Sequence, residues 1–308
     1  MGKLVVGAAV ALLVFTMGLV SIVAVVSGGS SASGTSGTSA GSGSSGTGSG
    51  DGGPAIPAGW LSLYRRAATT CPGLPWSVVA GIGTVETGSG RSTAPGVWSG
   101  ANAAGAEGPM QFLPATFAEY ATVGPGGARP ASPYDAVDAV YSAVALLCAN
   151  GGSASPSLRG AILDYNHSAL YANTVLTLAL AFQQDPTTSG TVVTALSFTA
   201  RQLGIPYLWG GTGVGGYDCS GLVQAAYRSA GVELPRVAQD QFDAGPAVAG
   251  GATVEPGDLV FFGSGPSGVE HVGMYVGSGE MIDAPHTGTV IRFDAADQPD
   301  LVGATRPG

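Results

Sequence analysis

The chain has 308 residues, with 11 Lys and Arg against 20 Asp and Glu, so its formal net charge is −9. A chain this acidic, without a cluster of basic residues, is not expected to bind nucleic acid. Its length exceeds that of one typical domain, which predicts more than one folded unit. Its three cysteines leave one thiol without an intramolecular disulfide partner.

The N-terminal segment is apolar and long enough to cross a bilayer. Residues 4–26, which follow Lys3, contain no charged side chain, and a membrane-spanning helix needs about 20 apolar residues. We therefore predict a transmembrane signal anchor over residues 1–26, with the N-terminus inside and the rest of the chain extracytoplasmic. The alternative is a signal peptide cleaved near the small residues 31–33, which would make the protein secreted.

Residues 27–58 consist largely of Gly, Ser, Thr and Ala. This composition buries too little apolar surface to offset the entropy of ordering, so we predict a flexible linker. A Gly/Ser coil of about 28 residues has a root-mean-square span of roughly 30 Å. Such a tether would hold a folded body clear of the membrane surface.

Residues 59–183 show apolar side chains at helical spacing, which predicts an all-α domain. Cys71 precedes one predicted helix of this domain and Cys148 ends another. A disulfide between them is favoured because it stays within one domain. The sequence leaves the connectivity open, since the two other pairings, both with the third cysteine, would cross domains.

Glu86 ends a predicted helix over residues 76–86, immediately before a Gly-rich loop. A carboxyl group that emerges there from packed helices would be partly buried. Partial burial raises the pKa of a carboxyl and suits it to act as a general acid near neutral pH. The alternative is an ordinary glutamate exposed to solvent at a helix end.

Three motifs of this domain resemble, in order and spacing, those of the lysozyme-like lytic transglycosylase family. They occupy residues 105–112, 114–117 and 161–166. The resemblance implies that Glu86 is the single acid and base, which protonates the glycosidic oxygen and then deprotonates the sugar 6-hydroxyl as a 1,6-anhydro ring closes. An internal hydroxyl then replaces the water that ordinary glycosidases activate.

The same resemblance implies that Gln111, Tyr165 and Asn166 line the sugar groove. One departure from the family pattern is Thr87, which stands where a Ser is usual and keeps the hydroxyl. A second acid, Glu107, lies in the first motif. It leaves open the alternative of a water-using, lysozyme-type domain.

Residues 184–190 form a predicted short linker, and residues 191–308 form a second domain of mixed composition. A helical pattern follows Cys219, and several short strands separated by Gly-rich turns follow that helix, over residues 258–262, 271–276, 280–284 and 289–293. A helix that carries a cysteine and packs on an antiparallel sheet that carries a histidine is the papain-like α+β layout. The whole chain is therefore predicted to be multi-domain.

Cys219 and His271 are the predicted nucleophile and base. A thiol at the N-terminus of a helix lies at the positive end of the helix dipole, which favours the thiolate. His271 lies on a predicted strand downstream and would take the proton. The alternative for Cys219 is a buried structural cysteine.

The residue that orients His271 depends on the register of one hairpin. With a three-residue loop over residues 277–279, Val276 pairs with Glu280, and Asp283 shares a sheet face with His271. A two-residue loop would shift the register and favour His286. Asp283 is also the better chemical choice, because its carboxylate stabilises an imidazolium.

Five motifs of this domain strongly resemble the NlpC/P60 family of cell-wall endopeptidases. They are Trp-Gly-Gly at 209–211, Asp-Cys-Ser-Gly at 218–221, Leu-Pro-Arg at 234–236, Pro-Gly-Asp-Leu at 256–259 and His-Val-Gly at 271–273. The resemblance implies cleavage between D-glutamate and the diamino acid of peptidoglycan stem peptides. It assigns the third member of the triad to Asp283 by position.

The family also implies a set of residues that line the substrate cleft and, for the Tyr, help to hold the oxyanion: Tyr207, Asp218, Ser220 and Arg236. A degenerate, wall-binding domain would require the loss of Cys219 or His271, and both are present. No cofactor or metal is expected in either domain.

Together these features predict a membrane-anchored, bifunctional peptidoglycan hydrolase of Gram-positive type. Its partner would be peptidoglycan itself, and its pairing of domains resembles the wall-opening proteins of conjugation systems. Tethering two activities on one polymer raises the local concentration of each. The rival interpretation is a non-catalytic scaffold that binds the wall and recruits transfer or division proteins.

Overall fold

The computed structural model describes residues 53–153 and 158–307 of the chain. The predicted membrane anchor at residues 1–26 and nearly all of the predicted linker at 27–58 lie outside these residues. No helix within the two described stretches is long and apolar enough to cross a membrane.

The first part of the described chain is built from helices, and none of its described residues up to position 184 belongs to a strand. This agrees with the prediction of an all-α domain. The helices are α1 (Ala58–Ala68), α2 (Trp76–Thr87), α3 (Pro114–Tyr120), α4 (Ala136–Ala149), α5 (Leu158–Tyr165) and α6 (Ala169–Gln184).

Helix α2 lies at the centre of this bundle because its small residues allow close approach on two sides. A Cβ atom on Gly81 would stand 2.8 Å from the carbonyl oxygen of Val175 in α6, and one on Gly83 would collide with the hydroxyl of Tyr64 in α1. The helix ends at Gly88, which adopts a left-handed conformation with φ of 61°, as is common at helix C-termini. Glu86 therefore lies in the last turn of a buried helix.

The predicted disulfide between Cys71 and Cys148 is present, with Cα atoms 5.8 Å apart. It joins the connection between α1 and α2 to the end of α4. Cys219 is the free cysteine of the described residues.

The second part combines three helices with an antiparallel sheet, as the papain-like α+β prediction requires. The helices are α7 (Gly190–Arg201), α8 (Cys219–Ser229) and α9 (Ala238–Ala244). The strands are β1 (Thr212–Gly213), β2 (Gly216–Tyr217), β3 (Leu259–Gly263), β4 (Val269–Gly277), β5 (Glu280–Asp283), β6 (Arg292–Ala295) and β7 (Leu301–Thr305). The main sheet has the order β6-β5-β4-β3-β7.

Two strands of this sheet differ from the prediction. The strand expected over residues 289–293 begins later, at Arg292, because residues 289–291 instead bond to the segment before β1: Thr289 and Ile291 accept from Tyr207 and Gly204. Strand β7 was not predicted at all, and it completes the sheet by pairing with β3.

The hairpin between β4 and β5 decides between the two loops that the sequence leaves open. Gly277, and not Val276, pairs with Glu280, so the turn contains two residues and not three. Val276 is then an extra residue in β4, and beyond this bulge Met274 pairs with Ile282. The two-residue alternative is therefore the loop present, but the register expected with it, which would favour His286, does not follow. The bulge gives Asp283 the register that was expected with the three-residue loop.

The two parts of the described chain share a continuous apolar core, which includes buried residues of α2, α6, α7, α8 and the main sheet. The predicted linker at 184–190 coincides with the connection between α6 and α7. The end of α6 reaches the hairpin between β4 and β5, where a Cβ atom on Gly277 would stand 2.9 Å from the carbonyl oxygen of Leu180.

Candidate active sites

Cys219 is the first residue of helix α8, and Asp218 caps that helix. The carboxylate of Asp218 accepts a hydrogen bond of 2.7 Å from the amide of Gly221, which satisfies one of the donors that a helix N-terminus leaves free. The Cys219 thiol is partly exposed. It thus lies at the end of the helix where the dipole favours a negative charge.

His271 of β4 and Asp283 of β5 meet beside this thiol. The Nε2 atom of His271 lies 2.6 Å from Oδ2 of Asp283, and Cys219 lies close enough to the imidazole to raise its pKa. Gly273 makes room for the pair, because a Cβ atom there would stand 3.3 Å from the Cβ of Asp283 and would collide with the sulfur of Met281. The structure therefore brings the three residues predicted as a triad into one site.

The electrostatics of this group favour a charged histidine. Burial of the ring lowers the pKa of His271, but hydrogen bonds and charges from Asp283 and Cys219 outweigh burial and raise it to about 9. Burial raises the pKa of Asp283, and the hydrogen bond and charge of His271 counteract that effect. A thiolate–imidazolium pair is the form of a Cys–His site that is ready for nucleophilic attack.

The raised pKa of His271 predicts the upper pH limit of this site. The imidazole of His271 keeps its proton below its pKa of about 9. Cleavage that depends on Cys219 should therefore fall as the imidazolium is lost above that pH, and the rate of Cys219 alkylation should change over the same range. The Asp283→Asn variant removes the charge that holds the proton, and its transition should move to lower pH. Iodoacetamide labelling of the full-length chain across pH measures both values.

The matched control for this prediction is His286→Ala. His286 is exposed, and its Nδ1 atom contacts the carbonyl oxygen of Thr287 in its own loop, at 3.0 Å. The His286 ring thus lies against its own loop and not beside His271. The His286→Ala variant should therefore keep the wild-type dependence of alkylation on pH. An unchanged profile in Asp283→Asn, or a shift in His286→Ala, would contradict the assignment of Asp283.

The predicted cleft residues form a charged cluster next to Cys219. Arg236 donates to both carboxylate oxygens of Asp218, at 3.0 Å and 2.6 Å, and to the hydroxyl of Ser220 at 3.0 Å. The pKa of Tyr207 is raised by burial and then by the charges of Cys219 and Asp218, so its phenol also lies close to the thiol. The structure brings all four predicted cleft residues together.

Gln241 of α9 is a further member of this site that sequence analysis missed. It is 2 % exposed, and its amide donates to the carbonyl oxygens of Ser220 at 3.0 Å and Pro235 at 2.8 Å. These bonds hold the start of α8 against the segment that carries Arg236. The sequence offers no local motif for such a residue, because its partners are distant carbonyl groups.

Glu86 forms the centre of a second candidate site in the helical part of the chain. Its Oε1 atom accepts a hydrogen bond of 2.6 Å from the phenol of Tyr171. Burial raises the pKa of Glu86 to about 7, and the bond from Tyr171 lowers it in part. A carboxyl with this pKa can donate and accept a proton near neutral pH.

The predicted groove residues take different positions around Glu86. Tyr165 stacks on Tyr171 with 6.5 Å between ring centroids, and its hydroxyl donates to the carbonyl of Met110 at 2.6 Å. The Oδ1 atom of Asn166 accepts from the amide of Ser168 at 3.2 Å. Tyr165 thus lies with Tyr171 at the Glu86 site, and Asn166 is the first residue after helix α5.

Both polar atoms of the Gln111 side chain form hydrogen bonds within its own loop. Its Nε2 atom donates to the carbonyl of Gly108 at 2.7 Å, and its Oε1 atom accepts from Asn102 at 2.8 Å. The predicted contact of Gln111 with sugar therefore stays a prediction, and the bonds give it a clear role in shaping the loop. Thr87 joins this loop to α2, since its hydroxyl donates to the carbonyl of Pro109 at 2.7 Å.

Glu107, the alternative second acid, interacts with another tyrosine. Burial and then the charge of Glu107 raise the pKa of Tyr134, while the Tyr134 hydroxyl donates to the carbonyl of Gly100 at 2.8 Å. The backbone of Glu107 pairs with Phe112. Among the described hydrogen bonds of the chain, none links Glu107 to Glu86.

Tyr171 was not predicted from the sequence as a site residue. It lies in the first turn of α6, where its amide donates to the side chain of Ser168, the N-cap, at 3.3 Å. The sequence feature that could have indicated Tyr171 is Ser168, because a serine is a common N-cap and shows where α6 begins. Tyr171 then belongs to the first turn of that helix.

The Tyr171→Phe variant tests the bond between Tyr171 and Glu86. The phenol stabilises the carboxylate, so its loss should raise the pKa of Glu86 further, and the upper pH limit of any reaction that needs protonated Glu86 should move to higher pH. The control is Tyr134→Phe, which removes the hydroxyl beside Glu107. Glycan cleavage across pH measures both, and a shift in Tyr134→Phe alone would favour Glu107 as the acid.

The described residues contain no group of three or more His, Cys, Asp or Glu side chains that could hold a metal ion.

Comparison with known proteins identifies the second part of the chain. Residues 204–301 match the NlpC/P60 family. The chain is 41 % identical over 106 residues to a "Gamma-D-glutamyl-L-lysine dipeptidyl-peptidase" of Bacillus subtilis, a match over 34 % of this chain and 36 % of that protein. It is 42 % identical over 94 residues to a "Probable endopeptidase p60" of Listeria monocytogenes, over 30 % of this chain and 19 % of that protein.

A third relative is the "Peptidoglycan endopeptidase RipA" of Mycobacterium tuberculosis, 35 % identical over 104 residues, 30 % of this chain and 21 % of that protein. The chain thus spans about a third or less of the length of these relatives. The matched region contains Cys219, His271 and Asp283 together with the cleft residues around them. Residues 204–301 of this chain form an NlpC/P60 domain.

Proposed function

We propose that the NlpC/P60 domain is a peptidoglycan endopeptidase that hydrolyses the amide bond between D-glutamate and the diamino acid of a stem peptide. The observation that carries the proposal is the arrangement of Cys219, His271 and Asp283, with 2.6 Å between the imidazole and the carboxylate. The names of the relatives support the substrate class, since they include a γ-D-glutamyl peptidase and a peptidoglycan endopeptidase.

The proposed reaction proceeds through a thioester. The thiolate of Cys219 attacks the amide carbonyl carbon, and the carbonyl electron pair moves onto oxygen. As the carbon–nitrogen bond breaks, the departing amine takes a proton from the His271 imidazolium. A water molecule then gives a proton to His271 and attacks the thioester, and the carbon–sulfur bond breaks. This releases the glutamyl carboxyl group and restores the thiolate beside the protonated histidine.

The surrounding groups have distinct roles in this proposal. The Cys219 amide, in the first turn of α8, has no partner within the helix and would donate to the oxyanion together with the Tyr207 hydroxyl. Arg236 is held by Asp218 and Ser220 and would present its remaining donors to a carboxylate of the peptide, for which a guanidinium is well suited.

A defined peptide tests the endopeptidase proposal. The full-length chain is incubated with L-Ala-γ-D-Glu-diamino acid-D-Ala peptides that contain either lysine or diaminopimelate, and the products are read by mass spectrometry. We expect L-Ala-D-Glu as a product from at least one of the two. If both peptides and intact peptidoglycan stay uncut, the domain is a non-catalytic wall-binding scaffold instead.

We further propose that the helical domain is a lysozyme-like lytic transglycosylase with Glu86 as its acid and base. The observation that supports this is the combination of partial burial, a pKa of about 7 and the Tyr171 hydrogen bond at Glu86. In the proposed reaction Glu86 protonates the glycosidic oxygen as the bond to C1 breaks. The resulting carboxylate then removes the proton of the 6-hydroxyl, whose oxygen bonds to C1, and no water is consumed.

The chemical nature of the new glycan ends distinguishes this proposal from its alternative. Glycan strands freed of peptide are incubated with the full-length chain, and the ends are analysed by mass. Ends with a 1,6-anhydro ring support the transglycosylase. Reducing ends, heavier by one water, would make the domain a lysozyme-type hydrolase that consumes water, with Glu107 as its candidate second acid.

Anchoring by residues 1–26, with both domains on the extracytoplasmic side, remains part of the proposal. Local opening of the wall for conjugative transfer is the process that this combination of domains would serve, and transfer or division proteins are its proposed partners. Protease treatment of intact cells tests the orientation, because an extracytoplasmic body is digested without lysis. Recovery of the chain from the culture medium would instead favour cleavage near residues 31–33.

A further inference from the structure

The hairpin between β4 and β5 contains the feature that selects the partner of His271. Its turn residues, Ser278 and Gly279, have φ of 57° and 80°, the pattern of a two-residue turn. The pairing of Gly277 with Glu280, if continued without interruption, would place His286 opposite His271. Asp283 would then lie opposite Met274 and on the other face of the sheet.

The bulge at Val276 prevents that outcome. Because Val276 has no opposing residue, Met274 pairs with Ile282, and Asp283 moves to the level of Gly273. Its carboxylate then reaches Nε2 of His271 at 2.6 Å. One extra residue in β4 therefore decides whether an aspartate or a second histidine orients the base.

Gln184, the last residue of α6, holds this bulge on both sides. Its Oε1 atom accepts from the hydroxyl of Tyr275 at 3.0 Å and from the amide of Ser278 at 3.3 Å, one residue before the bulge and two after it. Its Nε2 atom donates to the carbonyl of Val254 at 2.7 Å. The Tyr275 hydroxyl in turn accepts from the amide of Gly279 at 3.1 Å.

We propose that Gln184, which belongs to the helical part of the chain, is a positioning residue of the peptidase site. By tying Tyr275 to Ser278 across the bulge, it fixes the register that puts Asp283 beside His271. The inference rests on the proposed peptidase function for its kinetic consequence. It also means that the helical part supplies the framework of the peptidase site in addition to any activity of its own.

The charges that act on His271 and Asp283 belong to residues other than Gln184. A positional effect of Gln184 can therefore be distinguished from a change in charge. Cys219 of α8 and Asp283 of β5 act on the imidazole directly, and Arg292 and Asp294 of β6 act on Asp283. Gln184 is uncharged, so replacing it with another uncharged residue alters no charge in this set. A changed titration of His271 in such a variant must therefore come from a changed position of Asp283.

The test compares Gln184→Met with Gln183→Met in the full-length chain. Methionine keeps the length and packing of the side chain but removes its hydrogen bonds. Gln183 is the matched control because it is exposed and accepts from Ser77 within the helical part, at 3.3 Å. We measure Cys219 alkylation across pH, and kcat and KM on the stem peptide.

We expect Gln184→Met to lower kcat about fivefold to tenfold with KM unchanged, the size of effect that one or two net hydrogen bonds support. Its alkylation transition should move from about pH 9 toward lower pH. Gln183→Met should match the wild type in both readouts. Wild-type values of both kcat and the transition in Gln184→Met would overturn the proposal.

A second variant distinguishes loss of the Gln184 contact from a general loss of folding. Tyr275→Phe removes the hydroxyl that Gln184 accepts from, while the ring remains in place. It should shift the alkylation transition in the same direction, and the double variant should shift it no further, since both act through one contact. Additive shifts would contradict the shared role. If the wild type cleaves no peptide, the peptidase proposal fails, but the alkylation profiles still test the role of Gln184.

Discussion

The Cys219→Ser variant is expected to lose cleavage of stem peptides by about 10³-fold or more, the cost typical of removing a nucleophile from a triad. The physical reason is that His271 and Asp283 stabilise a thiolate–imidazolium pair, and a serine hydroxyl is far too weak an acid to form the corresponding alkoxide. The measurement is the initial rate of L-Ala-D-Glu release from the defined peptide.

Two control measurements accompany the Cys219→Ser variant. Glycan cleavage by Cys219→Ser should equal that of the wild type, because Glu86 and its partners lie in the helical part. The Cys71–Cys148 disulfide should form as before, which thiol titration under denaturing conditions checks. Peptide release at the wild-type rate in Cys219→Ser would remove the thiol from the mechanism.

The Glu86→Gln variant is expected to lose formation of new glycan ends by about 10²–10⁴-fold, the range for a general acid and base. Glutamine keeps the size of the side chain and can still accept from Tyr171, but it can neither protonate the glycosidic oxygen nor remove the 6-hydroxyl proton. The measurement is the yield of 1,6-anhydro ends from peptide-free glycan strands.

Glu107→Gln is the matched control for this variant. Because Glu107 acts on Tyr134 and no described hydrogen bond joins its side chain to the groups around Glu86, its replacement should leave the anhydro yield near that of the wild type. Stem-peptide cleavage should be normal in both variants. A large loss in Glu107→Gln with little loss in Glu86→Gln would transfer the acid to Glu107.

Much of the proposed peptidase site can be predicted from the sequence because its residues lie in short, local motifs. The helix that begins at Cys219 and the strand around His271 are each defined by neighbours in the chain, and the fold class follows from a helix succeeded by several short strands. The sequence also places Asp283 on the sheet face of His271, one pair away, and the structure has this register. That register is the one expected with a three-residue loop, whereas the structure reaches it with a two-residue loop and the bulge at Val276.

The remaining features depend on contacts between residues distant in sequence. The Val276 bulge is held by Gln184, which is about 90 positions away, so no local pattern could predict it. Tyr171 reaches Glu86 across 85 positions and was missed for the same reason. Strand β7 is short and gains its pairing only from β3, which local alternation of residues does not reveal.

These contacts change how the two predicted domains are related. The sequence indicated two bodies joined by a short linker at 184–190, whereas the described residues on either side share one apolar core. Helix α6 contributes Tyr171 to the Glu86 site at its first turn and Gln184 to the peptidase hairpin at its last residue. A variant at either end of α6 should therefore be assayed for both activities.

The central claim is that one chain cuts both the peptide and the glycan of peptidoglycan with two independent sets of residues. The most direct measurement is mass analysis of intact peptidoglycan digested by the full-length wild-type chain. We predict two kinds of new end in the same digest, peptides that terminate in D-glutamate and glycans that terminate in a 1,6-anhydro ring. A digest that contains neither kind of end, under conditions in which Cys219 is reduced, would contradict the account.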